Sequence, residues 1–242
     1  MTPLLADSGV VFAFQHSTLE GKAIIALLLI FSGISWSVMV DKYLHLRRAR
    51  RENALFIRRY RNSRAPLDLY REQRRYAVSP AAAVYQAGAR ELAFNLLGST
   101  EVDETFAARL QTAEPAGSVA LSSVRSALER AVGEEGLKLE AQLILLATAV
   151  SGAPFLGLLG TVWGVMDAFS GVAVAGQASL TALAPGVSGA LITTVAALLV
   201  AIPSMFGYNF LITSVKSMTV EIENFAAECQ ADFEHKYLKT RG

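Results

Sequence analysis

Residues 146–171 read LATAVSGAPFLGLLGTVWGVMDAFSG, and residues 183–209 read LAPGVSGALITTVAALLVAIPSMFGYN. Asp167 is the only charged residue between Ala141 and Val215. A helix rises about 1.5 Å per residue, so each stretch is long enough to cross the roughly 30 Å hydrocarbon core of a bilayer. The sequence therefore predicts two membrane spans, at residues 141–168 and 187–211.

A third apolar stretch, AIIALLLIFSGISWSVMV, covers residues 23–40 and carries no charge. It is not typical of a signal peptide, because residues 1–21 contain no Lys or Arg. Nine Lys or Arg residues follow it between positions 41 and 64, against two acids. A basic run is also found on nucleic-acid surfaces, but directly after an apolar span a juxtamembrane flank is favoured. No nucleic-acid partner is therefore expected.

The positive-inside rule orients the predicted spans. It places the basic run in the cytoplasm and the N-terminus outside, and the loop between spans two and three, which lacks Lys and Arg, suits the outer side. We therefore expect a multi-pass protein of the cell inner membrane with a periplasmic N-terminus and a cytoplasmic C-terminus.

The sequence between residues 41 and 140 favours helices, because it shows no sustained period-2 alternation. Ser79 followed by Pro80 predicts the start of a helix that ends at Gly98. A further helix from about Ser118 is expected to run without interruption into span two, because no turn signal separates the two segments. The charged tail after span three is also expected to be helical.

The predicted fold is all-α: an integral membrane protein with three transmembrane helices, two of which extend as long helices into a helical cytoplasmic domain. The predicted segments are a periplasmic N-terminal segment 1–22, a first transmembrane helix 23–40, a cytoplasmic helical region 41–140, a second transmembrane helix 141–168, a periplasmic loop 169–186, a third transmembrane helix 187–211 and a cytoplasmic C-terminal helix 212–242.

Spans two and three carry small residues at helical spacing, unlike the Leu- and Ile-rich first span. Small residues allow close helix–helix approach in lipid, and Pro in a span frees a backbone carbonyl and is expected to kink the helix. One interpretation is packing within a single chain. Another is burial against further copies and a partner helix, which follows if span one faces lipid. The residues predicted to pack are Gly157, Gly160, Gly164, Gly186, Ala190, Ala197, Ala201 and Pro203.

Threonine hydroxyls in these spans suggest a narrow polar path. Thr161 and Thr194 are predicted to lie at similar membrane depth, where hydroxyls can bind water or a proton-carrying group. Thr193 and Asp167 are further candidates for this path. Spans two and three contain no Asp, Glu, Lys, Arg or His near mid-membrane. A titrating group would then have to come from a second subunit.

Enzymatic chemistry is disfavoured by the sequence. His16, His45 and His235 lie far apart and show no metal-ligand spacing, and the single cysteine, Cys229, excludes a disulfide within the chain. There is no Ser/His/Asp or Cys/His arrangement near the membrane, and GLLGTVWG lies inside an apolar span instead of following a soluble strand. We expect no metal site, no cofactor and no catalytic residue.

The paired-span sequence resembles the MotA/TolQ/ExbB proton-channel family. GLLGTVWG is followed in order and spacing by APG, TT, AIP and YN. The first span with its flank, FSGISWSVMVDKYLHLRRARRE, and the lead-in LERAVGEEGLKLE are similar to the TolQ/ExbB branch, as are the length and the three spans. The resemblance covers most of the chain and is strongest over residues 118–215.

The resemblance implies a pentamer of this chain around a pair of single-span helices similar to TolR or ExbD, whose aspartate accepts the proton. It implies that the work is delivered to a periplasm-spanning protein similar to TonB or TolA, for outer-membrane transport or envelope integrity. The threonines that face the partner in the family fall on Thr161 and Thr194. The competing hypothesis is a non-conducting oligomeric membrane scaffold.

One position departs from the family pattern. Where the family has A-P-G-I-x-E-A-L, this chain reads APGVSGAL, so Gly189 takes the place of a glutamate near the outer mouth. Asp167 can replace the lost charge across the hairpin of spans two and three. The alternative for Asp167 is a span-end residue in interfacial water.

Overall fold

The computed structural model describes residues 9–74, 76–176 and 179–237, which form eight helices and no β-strand. Three of the helices, α2, α7 and α8, contain stretches long and apolar enough to cross a membrane. The predicted all-α fold with three candidate spans is confirmed. The helices are α1 (Gly9–Gln15), α2 (Leu19–Arg61), α3 (Asp68–Arg71), α4 (Pro80–Leu97), α5 (Phe106–Thr112), α6 (Ser118–Glu140), α7 (Leu143–Ala175) and α8 (Leu180–Tyr237).

The predicted uninterrupted helix into span two is wrong. Helix α6 ends at Glu140 and α7 begins at Leu143. Between them Ala141 has ψ 143° and Gln142 has a left-handed φ of 71°. Neither residue type is a helix breaker, so the local sequence carries no sign of this interruption. The long helices that continue from an apolar stretch into a charged one are instead α2 and α8.

The segment predicted as a loop, 169–186, is largely helical. Helix α7 continues to Ala175, and Gly176 ends it with a left-handed φ of 68°. Helix α8 begins at Leu180 and continues through Pro185 and Pro203. The connection is therefore confined to 176–179, of which residues 177 and 178 lie outside the described residues. Residues 1–8 of the predicted N-terminal segment also lie outside them.

The chain divides into two compact units, and the first comprises Met1–Lys42 and Gln142–Leu211. It contains α1, the first part of α2, α7 and the first part of α8. Ile24 and Leu28 of α2 pack against α7 and α8 in a core that also contains Ala153, Ala197, Val200 and Ala201. Since Leu28 is only 1% exposed, one face of the first span is buried within the chain.

The second unit comprises Tyr43–Ala141 and Ile212–Gly242. Its core is aromatic: Phe225 of α8 makes edge contacts with Phe56 and Tyr60 of α2, with ring centroids 5.9 and 5.2 Å apart. The Tyr60 hydroxyl donates to the Asp232 carboxylate at 2.9 Å. These contacts join helices that are more than 150 residues apart in sequence, so they determine the fold of this unit.

Helix α4 begins as its sequence predicts. The Ser79 hydroxyl accepts a hydrogen bond from the Ala82 N–H at 3.2 Å, and Pro80 occupies the first helical position. The helix ends at Gly98, which has a left-handed φ of 68°. Helix α2 also stabilises this cap, because the side-chain Oδ1 of Asn53 accepts hydrogen bonds from the Ser79 hydroxyl and the Ala81 N–H.

Cys229 is fully buried in the second unit. Desolvation raises the pKa of its thiol well above the usual range. The thiol therefore stays protonated at neutral pH, and Cys229 acts as a core residue of the aromatic cluster and not as a nucleophile.

Candidate functional site

Helices α7 and α8 approach each other closely at glycines. A Cβ atom at Gly157 would stand 3.1 Å from the Thr194 Cα, and one at Gly164 would stand 3.0 Å from the Ala190 Cα. A Cβ at Gly186 would stand 3.2 Å from the Ala168 Cα. Such separations are below ordinary contact, so only glycine permits the two backbones to lie this close. The order of the contacts makes the two helices antiparallel.

The small-residue stripes of the two spans thus cover each other within one chain. Gly157, Gly160, Gly164, Gly186, Ala190 and Ala197 all lie at the α7–α8 contact, while Ala201 lies in the core formed with α2. Packing within a single chain, the first interpretation, therefore accounts for the burial of these residues. Span one does not face lipid throughout, because Ile24 and Leu28 of α2 pack on the helix pair.

The hydroxyls of two threonines of α8 lie within hydrogen-bond distance of one carbonyl of α7. The hydroxyl of Thr193, fully buried, donates to the Ala190 carbonyl at 2.7 Å and lies 3.2 Å from the Gly157 carbonyl. The hydroxyl of Thr194, half-buried, donates to the same Gly157 carbonyl at 3.1 Å. A carbonyl has two lone pairs, so Gly157 can accept an interhelical bond beside its own helical one. Thr193 lies between the helices, and Thr194 lies at their edge.

Thr161 lies at the same level as Thr194. Because Gly160 faces Thr193 and Gly164 faces Ala190, the register puts Thr161 within about 3 Å of Thr194 along the helix pair. Thr161 also follows Gly157 by four residues and so shares its face of α7. The Thr161 hydroxyl donates to the Leu158 carbonyl of its own helix at 2.7 Å.

Both threonines lie on the side of the helix pair that α2 does not cover. On α8, Val200 of the core formed with α2 and Gly207, whose added Cβ would meet Met39 of α2, lie about 120° and 140° around the helix from Thr194. On α7, Leu156 packs on the same core and lies about 140° around the helix from Thr161. Exposed leucines surround the two half-buried hydroxyls: Leu158 of α7 and Leu191 and Leu198 of α8. The result is an apolar groove, named here the threonine groove, with hydroxyls of Thr161 and Thr194 at one level.

Asp167 is not part of the threonine groove. It is exposed on α7, six residues and about 9 Å beyond Thr161, and turned about 120° from it around the helix. Thr148, an exposed hydroxyl nearer the start of α7, bonds to the Ile144 carbonyl at 2.8 Å. It lies about 20 Å from the level of Thr161. The structure therefore brings Thr161, Thr193 and Thr194 together and leaves these two side chains apart.

The N-terminal turn between α1 and α2, at His16 and Ser17, packs against Gly189. A Cβ at residue 189 would stand 2.8 Å from the Ser17 Cα and 3.1 Å from the His16 carbonyl oxygen. Ser17 is buried, and its hydroxyl has no hydrogen-bond partner among the described residues. The main chain between α1 and α2 therefore occupies the space that a side chain at 189 would need. Residue types alone gave no sign of this contact.

No metal centre is formed by the part of the chain described here, which contains no group of three or more His, Cys, Asp or Glu residues able to hold an ion. The threonine groove therefore offers hydroxyl groups and backbone carbonyls as its polar chemistry.

Known proteins resemble this chain over most of its length. The model of the MotA/TolQ/ExbB proton channel family matches residues 98–224. The Tol-Pal system protein TolQ of Haemophilus influenzae is 30% identical over 218 residues, which are 89% of each chain. The biopolymer transport protein ExbB of Neisseria gonorrhoeae is 30% identical over 204 residues, covering 84% of this chain and 87% of its own. ExbB of Xanthomonas campestris is 44% identical over 103 residues, covering 43% and 41%.

Gly189→Ala is expected to destabilise the first unit. The added methyl group meets backbone atoms of Ser17, which cannot rotate away, and such overpacking costs about 1–3 kcal/mol. Gly189→Glu adds a longer side chain at the same point and should destabilise at least as much. Thermal unfolding of the full chain in detergent micelles measures the effect, and trypsin cleavage after Lys22 reports displacement of the turn.

Gly171→Ala is the matched control, because nothing lies within 4 Å of a Cβ added there. It should unfold at or slightly above the wild-type temperature. If Gly189→Ala and Gly171→Ala unfold and are cleaved alike, the N-terminal turn does not pack on residue 189.

Proposed function

Because the chain belongs to the MotA/TolQ/ExbB proton channel family, we propose that it is a proton-channel subunit of an energy-transducing complex. The complex lies in the cell inner membrane and couples the proton motive force to a periplasm-spanning protein similar to TolA or TonB. The relatives are named as Tol-Pal and biopolymer transport proteins, which supports a role in outer-membrane transport or envelope integrity. The threonine groove is the observation that carries this proposal.

The hydroxyls of the threonine groove are suited to bind a carboxyl group from another chain. A hydroxyl donates one hydrogen bond and accepts others, so Thr161 and Thr194 can turn from the carbonyls of Leu158 and Gly157 toward a ligand. An unpaired carboxylate in hydrocarbon costs several kcal/mol. Two donors at one level lower that cost. The proton-carrying acid belongs to a single-span partner similar to TolR or ExbD.

The driving force is sufficient for this mechanism. One proton crossing a potential of 100 mV releases about 2.3 kcal/mol. The hydroxyls hold the partner carboxylate when it is charged and release it when it is protonated, because a neutral acid accepts weaker hydrogen bonds. The partner helix therefore changes its contacts with the groove once per proton. Thr193, between α7 and α8, keeps the two walls of the groove together.

The proposed assembly is a homopentamer around the partner helices. Its support is the threonine groove, which faces away from α2 and is lined by exposed leucines. Five copies arranged with α7 and α8 inward and α2 outward would bring five grooves to one central axis. Lipid then contacts the outer face of the first span.

The orientation is tested by reporter fusions. A fusion at Ser99 should be active in the cytoplasm, and one at Gln177, which lies outside the described residues, should be active in the periplasm. The expectation follows from the basic run after span one and from the absence of Lys and Arg between spans two and three. The reverse pattern would show that the N-terminus is cytoplasmic.

The stoichiometry is tested by native mass measurement of the full chain expressed with its single-span partner. The expected mass corresponds to five copies of this chain. A stable monomer in the presence of the partner would contradict the assembly.

Thr161→Val and Thr194→Val are each expected to abolish or strongly reduce energy transduction while preserving protein level and assembly. Valine keeps the shape of threonine and removes the hydroxyl. Thr148→Val is the matched control, because it removes an exposed hydroxyl from α7, the helix of Thr161, at a point about 20 Å from Thr161. Complementation of outer-membrane integrity and of outer-membrane uptake provides the readout, and Thr148→Val should be active in the same strain.

Normal transduction by both single variants and by the double variant would leave Thr161 and Thr194 as packing residues. That result would contradict the channel mechanism and favour the non-conducting oligomeric scaffold.

A further inference from the structure

Four arginines of α2 form an exposed basic patch just beyond the first span. Arg47, Arg48, Arg50 and Arg51 are all exposed, and none forms an ion pair with another described residue. This set is named the arginine patch. Two other arginines of the same helix differ: Arg59 pairs with Glu72 at 2.6 Å, and Arg61 pairs with Glu228 at 2.7 Å. The patch therefore carries charge that the fold does not use.

The patch continues an apolar face of the helix. Trp36, Val40 and Leu44 are exposed at intervals of four residues along α2, and Arg47 and Arg51 follow at intervals of three and four. These intervals keep all five residues on one side of a helix. An exposed face that changes from tryptophan and aliphatic side chains to arginines is typical of a helix leaving hydrocarbon for headgroups.

The distance along the helix agrees with that change. Val40 is the last residue of the predicted span, and Arg47 and Arg51 lie about 10 and 16 Å beyond it along the axis. The long aliphatic stem of arginine lets its guanidinium reach back toward the interface. Arg58 is exposed on the same face but lies about 27 Å beyond Val40. It is therefore out of reach of the headgroups, and a Debye length of about 8–10 Å screens it from them.

We propose that the arginine patch binds the phosphate groups of anionic phospholipids in the cytoplasmic leaflet. A guanidinium presents parallel N–H donors that match two phosphate oxygens, and it remains charged at any physiological pH. The segment from 41 to 52 stays positive, because its five basic residues outnumber its two acids, Asp41 and Glu52. The proposal rests on the cytoplasmic placement of residue 41 onward, which belongs to the proposed function. Anchoring of α2 here fixes the depth of the first span.

The test measures phospholipid binding by the full chain in dodecyl maltoside micelles. Dioleoylphosphatidylglycerol is titrated against dioleoylphosphatidylcholine, and bound lipid is counted by native mass spectrometry. The wild type should bind phosphatidylglycerol at least tenfold more tightly than phosphatidylcholine. The variant with Arg47→Gln, Arg48→Gln, Arg50→Gln and Arg51→Gln should lose most of that preference, because each basic group near an anionic surface contributes severalfold.

Two further variants distinguish a localised lipid-binding site from a general effect of the protein's net charge. Changing four exposed arginines elsewhere to glutamine, Arg58, Arg64, Arg90 and Arg130, removes the same charge and should leave the preference intact. Changing the four patch residues to lysine keeps the charge and should retain most of it. If the glutamine variant of the patch does not fold, the lysine variant and the salt dependence of wild-type binding still decide. Equal binding of both lipids by the wild type overturns the proposal, as does equal loss in both glutamine variants.

The same variants test whether the arginine patch binds nucleic acid instead of phospholipid. If the patch variant loses binding of a short oligonucleotide but keeps its preference for phosphatidylglycerol, the proposal is wrong. Thr161→Val and Thr194→Val should bind phosphatidylglycerol as the wild type does. Failure of the channel mechanism is therefore distinguishable from failure of the lipid site.

Discussion

The close contact of α7 and α8 is the constraint on which the first unit depends. Lipid tails are as apolar as leucine, so helices in a bilayer associate through tight packing and interhelical hydrogen bonds. Glycine at 157, 164 and 186 lets the backbones approach to separations that a methyl group would prevent. The short distance between the helices also permits polar contacts between them. Only at this separation can the Thr193 and Thr194 hydroxyls both reach the Gly157 carbonyl.

That contact also decides which side chains are available for function. Thr193 is fully buried between the two helices, whereas Thr161 and Thr194 are half-buried at the edge of the pair. Helix α2 covers the opposite side through Ile24 and Leu28. The proposed function follows from this division: one side of the helix pair is closed by the chain's own first span, and the other offers two hydroxyls at one level to a partner.

The departure at Gly189 has a structural counterpart. In the family pattern a glutamate stands at this position, and here the main chain of His16 and Ser17 occupies the space beside it. The N-terminal turn can therefore pack here only because residue 189 has no side chain.

The sequence by itself determined the helical fold, the three apolar stretches, the cap at Ser79 and the family. These follow from local properties: hydropathy over about twenty residues, caps at fixed offsets and the order of GLLGTVWG, APG, TT, AIP and YN. Only the tertiary structure decided the break at Ala141 and Gln142, the helical course of 169–186, and the burial of the small-residue stripes within one chain. The burial of the stripes depends on contacts between segments far apart in sequence, and the break lies at residue types that are not helix breakers. A residue such as Thr193 or Gly189 looks the same in the sequence whichever helix, turn or partner lies against it.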